Sequence, residues 1–451
     1  MKRLLVYLSL LLFITNVFGQ IKSISKKKMI QDIDILFSAI EKVHVNMHTV
    51  YPKHKLEKDI EKIKAELTPD ADIFYFYKKI NPLVVRLGDG HTSVYFPNEY
   101  LGKDSNIVLF PFPVKVTYPD KEIFVQNDFT QTQNAIPIGG QITKINNRPS
   151  KDIVHEMMNY VSGEKDFFKT ERLEFLFTPL IYALYRDSVF DIEYEFEQKR
   201  HSVHVKGIPH KERYKRRSQQ NDAEPYMSYS LRILPEKNIG IIDFKRFQGL
   251  EEFKLFLDSA FQVLQQENIG NLIIDIRENG GGDSKLGDEL FQYISPVPFA
   301  QFGKTIVNFS DIQKQYYKDN YNREVTNPNG IEILNENPEL IELRENKLRY
   351  NGDIYLLISH YTFSSAASFS WAFKYFNMGT VIGQESGGLA VCFGDIITQK
   401  LPNTGLYYGA SHKKFYQYGA TEENDHGTLP DYTVPKEKAL DFTIDMITKE
   451  Y

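Results

Sequence analysis

Cysteine is nearly absent. Cys392 is the only one in 451 residues, so neither an internal disulfide framework nor a multi-cysteine metal knuckle can form. Tryptophan is as scarce, with Trp371 alone, although Phe and Tyr lift the aromatic share to 14%. Basic charge is not in excess: 54 Lys and Arg face 59 Asp and Glu, a net charge of −5. That balance argues against a nucleic-acid binder held by bulk charge. With 42% apolar and 25% charged residues, composition also excludes a disordered, collagenous or repeat-fibre chain. What remains is a globular protein about three times the ~150-residue unit of one domain, so two or three folded units are expected.

The first nineteen residues read as a secretory signal. Lys2 and Arg3 precede an almost wholly apolar run at 4–18, and Val17-Phe18-Gly19 ends it before Gln20. Such a run is shorter than the ~20 residues a helix needs to span a bilayer; the alternative is an uncleaved membrane anchor. No later segment reaches spanning length without charges. A secreted or periplasmic protein is expected, and the scarcity of cysteine suits a compartment where stray thiols oxidise.

Residues 23–86 carry helical periodicity, with Ile30, Ile33, Leu36, Phe37, Ile40 and Val43 at three- and four-residue intervals. His44 and His48 stand four apart; with no further ligand nearby they read as capping or surface histidines. Gly88-Asp89-Gly90-His91-Thr92 breaks the helical pattern ahead of a short strand. Residues 100–207 read as β-rich with short helices, one of them beginning near Lys151. Residues 208–225 are polar and basic, with Lys211, Arg213, Lys215, Arg216 and Arg217, and read as a solvated linker. From 226 onward, continuous apolar strands at 239–244, 271–276 and 354–358 alternate with helices, the signature of a mainly parallel sheet covered on both faces. Between them 300–350 reads as a polar, irregular excursion. The expected organisation is a signal at 1–19, an N-terminal helical region at 20–99, a β-rich module at 100–207, a linker at 208–225 and a core domain at 226–451.

In such a sheet, chemistry collects where loops leave the carboxyl ends of strands. Two of these loops are unusual. Gly280-Gly281-Gly282 follows Ile276, and glycines there permit positive φ and close approach to backbone amides, as an oxyanion cradle requires. No phosphate-loop or dinucleotide glycine spacing is present. In the second loop, Thr362-Phe363-Ser364-Ser365-Ala366 joins a buried strand to a helix. Ser364 sits at the positive helix end, where a hydroxyl can serve as a nucleophile or merely as an N-cap. Local sequence favours the cap. Cys392 reads as a small buried hydrophobe.

Together these segments resemble the C-terminal-processing (tail-specific) serine peptidase family, with relatives in the tricorn core protease and the interphotoreceptor retinoid-binding repeats. The resemblance rests on the 272–282 strand and glycine loop, on Thr362-Phe363-Ser364, on Val381-Ile382-Gly383 with Ser386-Gly387-Gly388, and on Gly427-Thr428-Leu429-Pro430-Asp431. Gly88-Asp89-Gly90-His91-Thr92 is similar to the segment of members that use histidine, and 136–150 to the edge of the family's PDZ-like module. It implies an α/β fold: a crotonase-like ββα core with a mixed or parallel sheet, an N-terminal helical region and an inserted PDZ-like β-rich module.

It further implies that Ser364 is the nucleophile and that the amides of Gly281 or Gly282 and of Ser365 form the oxyanion hole. The lysine of Ser–Lys members is replaced by Leu389, which points to His91 as the base. Asp425 is the first choice for the carboxylate that orients it, with Asp89 and Glu385 open. Ala367 replaces a glutamate found in many members. The expected activity is endoproteolysis of a peptide or protein substrate through an acyl-enzyme, with no metal, cofactor, nucleic acid or membrane span. The rivals are a peptide- or apolar-ligand-binding protein on the same scaffold and an acyl-CoA-handling enzyme, which the signal segment disfavours.

Overall fold

The computed structural model describes residues 23–101, 105–130, 134–220, 227–336 and 338–449. The expected signal at 1–19 lies outside the described residues. Helices α1 (Lys26–Val43), α2 (Lys53–Glu66) and α3 (Ile73–Val85) form the N-terminal region as periodicity predicts. Strand β1 (Ser93–Val94) follows the glycine-rich break.

Strands β2 (Val114–Val116), β3 (Ile123–Val125) and β4 (Gln141–Ile145) open the module. Helices α4 (Ser150–Met157) and α5 (Asp166–Tyr185) and strands β5 (Val189–Phe196) and β6 (Lys199–Lys206) complete it. The strands lie antiparallel in the order β6-β5-β4-β3-β2. At 20 residues, α5 is longer than the short helices expected here. It is apolar nearly all round, burying Phe167, Phe168, Leu173, Phe177 and Leu180, and carries Pro179, so no single stripe announces it. Residues from α1, α3, α4, α5 and the module strands share one apolar core.

The expected linker contains α6 (His210–Gln220). Among its described side chains none forms a buried apolar face; good helix formers, a Glu212–Arg216 pair four residues apart and an Arg216–Phe129 carbonyl bond at 2.9 Å hold it instead.

Strands β7 (Tyr229–Leu234), β8 (Ile239–Phe244), β9 (Asn271–Asp275) and helices α7 (Leu250–Gln266) and α8 (Lys285–Ile294) begin the core. The expected irregular excursion is instead β10 (Phe302–Phe309), α9 (Asp311–Tyr321) and β11 (Gly330–Leu334). In β10 burial alternates, with Gly303, Thr305, Val307 and Phe309 inward, but the inward set mixes small, polar and apolar residues and so shows no period-2 apolar pattern in sequence. Then come β12 (Asp353–Ile358), α10 (Ser365–Tyr375), β13 (Thr380–Gly383), β14 (Val391–Lys400), β15 (Tyr407–Gln417), β16 (Tyr432–Thr433) and α11 (Ala439–Lys449).

The core sheet runs β7-β8-β9-β12-β13-β16, parallel except for edge strand β7. Side chains alternate between its faces. Ile242, Leu272, Ile274, Leu356 and Ile358 pack under α7, α8 and α10, while Ile241, Ile273, Leu357 and Ile382 pack against α11. Burial on both faces is why these strands read as unbroken apolar runs. A second, antiparallel sheet, β11-β10-β15-β14, carries β1 on β15. That pairing of Val94 with Tyr408 anchors the 88–92 loop to the core domain.

Candidate active site

The carboxyl ends of β9 and β12 bring the two unusual loops together. Asn279, fully buried, organises the first. Its Nδ2 donates to the Phe244 carbonyl at 2.8 Å, its Oδ1 accepts the Gly281 amide at 2.9 Å, and its own carbonyl accepts the Phe363 amide at 3.1 Å. Gly281 and Gly282 have φ of +99° and +142°, values that a side chain tolerates poorly. A Cβ on Gly281 would stand 2.8 Å from Ser364 Cβ, and one on Gly282 would stand 2.0 Å from the Phe247 carbonyl oxygen. Gly281 is thus required by close approach to the serine loop, and Gly282 by close approach to the backbone at Phe247.

Ser364 occupies the N-cap position of α10 but makes no side-chain capping bond, and its φ and ψ are 53° and −129°. The capping role that local sequence favours is not what the side chain does. Positive φ on a non-glycine residue is a strained conformation that persists where surrounding structure enforces it, often at functional sites. Enforcement comes from three directions: the Phe363 amide is held by Asn279, the Ser368 amide donates to the Ser364 carbonyl at 3.0 Å, and the Gly388 amide donates to the Thr362 carbonyl at 3.2 Å. The Gly281 amide is consumed by Asn279. Among the described residues the Gly282 and Ser365 amides have no protein acceptor. Of the two glycine amides expected as oxyanion donors, Gly282 is the one left free.

The imidazole side is assembled from distant segments. Arg172 on α5 donates to the carbonyls of Gly90 and Ser162 at 2.9 and 2.8 Å, and Ser162 Oγ donates to the Thr92 carbonyl at 2.9 Å, bolting the 88–92 loop in place. His91, 9% exposed, stacks on Phe363 with ring centroids 4.5 Å apart. It therefore lies against the residue that precedes Ser364. Neither ring nitrogen has a hydrogen-bond partner among the described residues, so no His91–Ser364 hydrogen bond is formed. Burial lowers the His91 pKa from its ordinary value, with Asp89 opposing, and favours the neutral ring.

Asp89 is buried beside it. Its Oδ1 accepts the His91 backbone amide at 2.8 Å, while Oδ2 accepts from His44 Nε2 at 3.2 Å, from Ser411 Oγ at 2.7 Å and from Thr92 Oγ1. Burial pushes its carboxyl pKa up, but the His44 hydrogen bond and charge, with His91 and Ser411, outweigh burial and hold it well below the usual range. His44, expected at the surface or as a cap, is only 3% exposed and belongs to this network. Its backbone does end α1, bonding the Ile40 carbonyl.

Sequence reasoning missed Glu164. Its Oε1 accepts the Gly90 amide at 2.9 Å, while Oε2 is buried without a partner. Burial, with the charge of Asp89, raises its pKa to about 7. One donor atom from each of Asp89, His91 and Glu164 lies within 4.8 Å of the other two. Nothing in the local Ser162-Gly163-Glu164 sequence signals this.

The remaining candidates stand elsewhere. Asp425 has a side chain 87% exposed, 3.8 Å from Lys165, and the structure does not bring it to the imidazole. Glu385 Oε1 accepts the Gly427 amide at 2.9 Å. Leu389 bridges to Gly427, and a Cβ on Gly388 would stand 2.6 Å from Ala367 Cβ. Cys392 is half-buried; burial and the charges of Glu164 and Asp89 push its thiol pKa up, which keeps it protonated.

A strained serine at a strand–helix junction, backed by unpaired amides and with a buried imidazole stacked on the residue before it, fits a hydrolase that works by acyl transfer. The model of peptidase family S41 matches residues 238–434. Residues 238–434 are thus similar to the S41 peptidases, in line with the resemblance to the C-terminal-processing serine peptidases, and the match supports a serine-type peptidase acting on peptides or proteins. Among solved structures, mature CPAF aligns over 94% of this chain and 97% of its own at a TM-score of 0.66 and 12% identity. CPAF complexed with lactacystin covers 94% and 98% at 0.65 and 12%. The photosystem II D1 C-terminal processing protease covers 93% and 97% at 0.47 and 13%. The two CPAF structures share the fold. No curated protein matches the chain. Among the described residues no helix is long and apolar enough to cross a membrane.

Proposed function

We propose that the protein is an endopeptidase that cleaves through an acyl-enzyme on Ser364, with His91 as general base. Ser364 Oγ attacks the scissile carbonyl carbon while His91 accepts its proton. The oxyanion takes hydrogen bonds from the Gly282 and Ser365 amides. His91 then returns the proton to the leaving amine, and water, activated by the same imidazole, releases the acyl group. Glu164 is assigned as the positioning residue for the ring's second nitrogen in the reacting complex, in place of Asp425: one donor atom of each side chain lies within 4.8 Å of the other, with no bond yet between them. The observation that carries the reading is the backbone of Ser364, strained at φ 53° with no capping bond and beside unused amides.

On the same reading the core is crotonase-like and 100–207 is a PDZ-like module. That module receives an extended peptide beside its edge strand β2 by strand addition. The Val116 amide on β2 is held by Glu174 Oε1 at 3.0 Å, so an added strand displaces that carboxylate. The basic start and apolar run at 2–18 support export to a secreted or periplasmic location.

Labelling with a fluorophosphonate tests the nucleophile. Ser364 is expected to react covalently and the Ser364→Ala variant to remain unlabelled and inactive at unchanged thermal stability. A serine that stays silent in the folded wild-type protein returns the chain to the binding-protein reading.

A further inference from the structure

We propose that Asp89, His91 and Glu164 form an inhibitory site for a divalent cation of the zinc type. The inference rests on the reading of His91 as the base, because a cation bound to its ring removes the lone pair that deprotonates Ser364.

The donors converge without help from any other group: one atom from each of the three side chains falls within 4.8 Å of the others. Two of these side chains are unsatisfied. Both His91 ring nitrogens and Glu164 Oε2 are buried with no hydrogen-bond partner among the described residues, and His91 is nine-tenths buried. Buried polar atoms left unpaired are unfavourable, a cost that ligation removes. Asp89 Oδ1 accepts a single hydrogen bond, from the His91 amide, and keeps a lone pair, whereas Oδ2 is saturated.

Chemistry selects the ion. One imidazole and two carboxylates suit zinc and neighbouring transition metals, whereas calcium requires about six to eight oxygens. Three protein ligands leave a further position for water, the open arrangement of a reversible site rather than of a closed structural one. An outer shell is already in place. His44 and Ser411 hold Asp89 at 3.2 and 2.7 Å, and the Gly90 amide holds Glu164 Oε1 at 2.9 Å. The charged neighbour of opposite effect is Arg172, which donates to the carbonyls of Gly90 and Ser162. Two carboxylates therefore face one guanidinium, and the pocket stays favourable to a cation. The His44–His48 pair is not part of this site, since His44 Nε2 is committed to Asp89.

The test is Zn²⁺ titration of the full Ser364→Ala chain against a fluorescent zinc indicator, which reads binding apart from turnover. One equivalent is expected at a Kd of about 1 μM or tighter, with Glu164→Gln and His91→Gln each weakening it at least about tenfold. Thermal melts confirm that each variant is folded, and His91→Gln keeps the test intact should Glu164→Gln not fold. Absence of stoichiometric binding, or an affinity that neither variant changes, overturns the site. In parallel, Zn²⁺ should inhibit wild-type peptide hydrolysis at the same midpoint, with EDTA restoring the rate. Binding without inhibition overturns the inhibitory role. A wild-type chain that binds Zn²⁺ but never hydrolyses peptide overturns the proposed peptidase mechanism and leaves the cation site standing.

Discussion

The two halves of the candidate site are built by different means. The serine half is made of backbone: a glycine bend, a strained serine and two free amides, fixed by bonds around Asn279 and the 362–368 turn. The imidazole half is made of side chains gathered from residues 44, 89–92, 164, 172 and 411. Backbone donors carry no titratable charge, so the first half should be indifferent to pH and intolerant of added atoms. The second half should be the reverse: tolerant of shape and sensitive to charge.

The largest expected effect breaks the serine half. Ser364→Ala should reduce peptide hydrolysis by at least about 10³-fold with little change in Tm, measured by steady-state kinetics and calorimetry. Gly282→Ala follows, since its Cβ would stand 2.0 Å from the Phe247 carbonyl at a φ of +142°. It should destabilise the fold by roughly 2–4 kcal/mol and abolish turnover, read by urea denaturation and hydrolysis. A variant with wild-type stability would mean that the glycine bend is looser than described.

On the imidazole side, Asp89→Asn leaves His44, Thr92 and Ser411 facing a weaker acceptor. A loss of about 3 kcal/mol is expected, visible in denaturant titrations at pH 7. The depressed folded-state pKa of Asp89 means that its contribution is full above the unfolded value of ~3.9 and is lost as pH falls further. Glu164 has the opposite sign. Its folded-state pKa, about 7, lies above the unfolded ~4.3, so its ionisation costs stability as pH rises between those values. Glu164→Gln should therefore flatten the stability profile between pH ~4.5 and ~7. A profile unchanged by the substitution would contradict the assignment of that group. The smallest effect is at Asp425: Asp425→Asn should alter kcat/KM by less than about fivefold, the range of an exposed ion pair.

What could be read from sequence follows the same division. Strands β8, β9 and β12 and the glycine loop are legible because their signals are local, in apolar runs and turn residues, whereas local sequence favours a cap at Ser364 and only the family resemblance implies a nucleophile there. His91 is legible only with its flanking Gly88-Asp89-Gly90 and the family resemblance. Glu164 and His44 are not, since their significance lies in contacts across 74 and 45 residues, and lone residues carry no periodicity. Nor are β10 and α9, because the buried face of β10 mixes Gly303 and Thr305 with Val307 and Phe309, and α9 buries only Gln313. Helix α5 escapes notice for the opposite reason, being apolar on too many sides to show a stripe.

The central claim is that His91 activates Ser364, and the rate of fluorophosphonate labelling as a function of pH, with a chelator present, tests it most directly. The labelling rate should be full near neutral pH and fall on acidification with an apparent pKa at or below ~6.5, because burial lowers the His91 value. His91→Ala should also slow labelling at least about 10²-fold at pH 7. A His91→Ala chain labelled at the wild-type rate, with the same pH dependence, would contradict that claim.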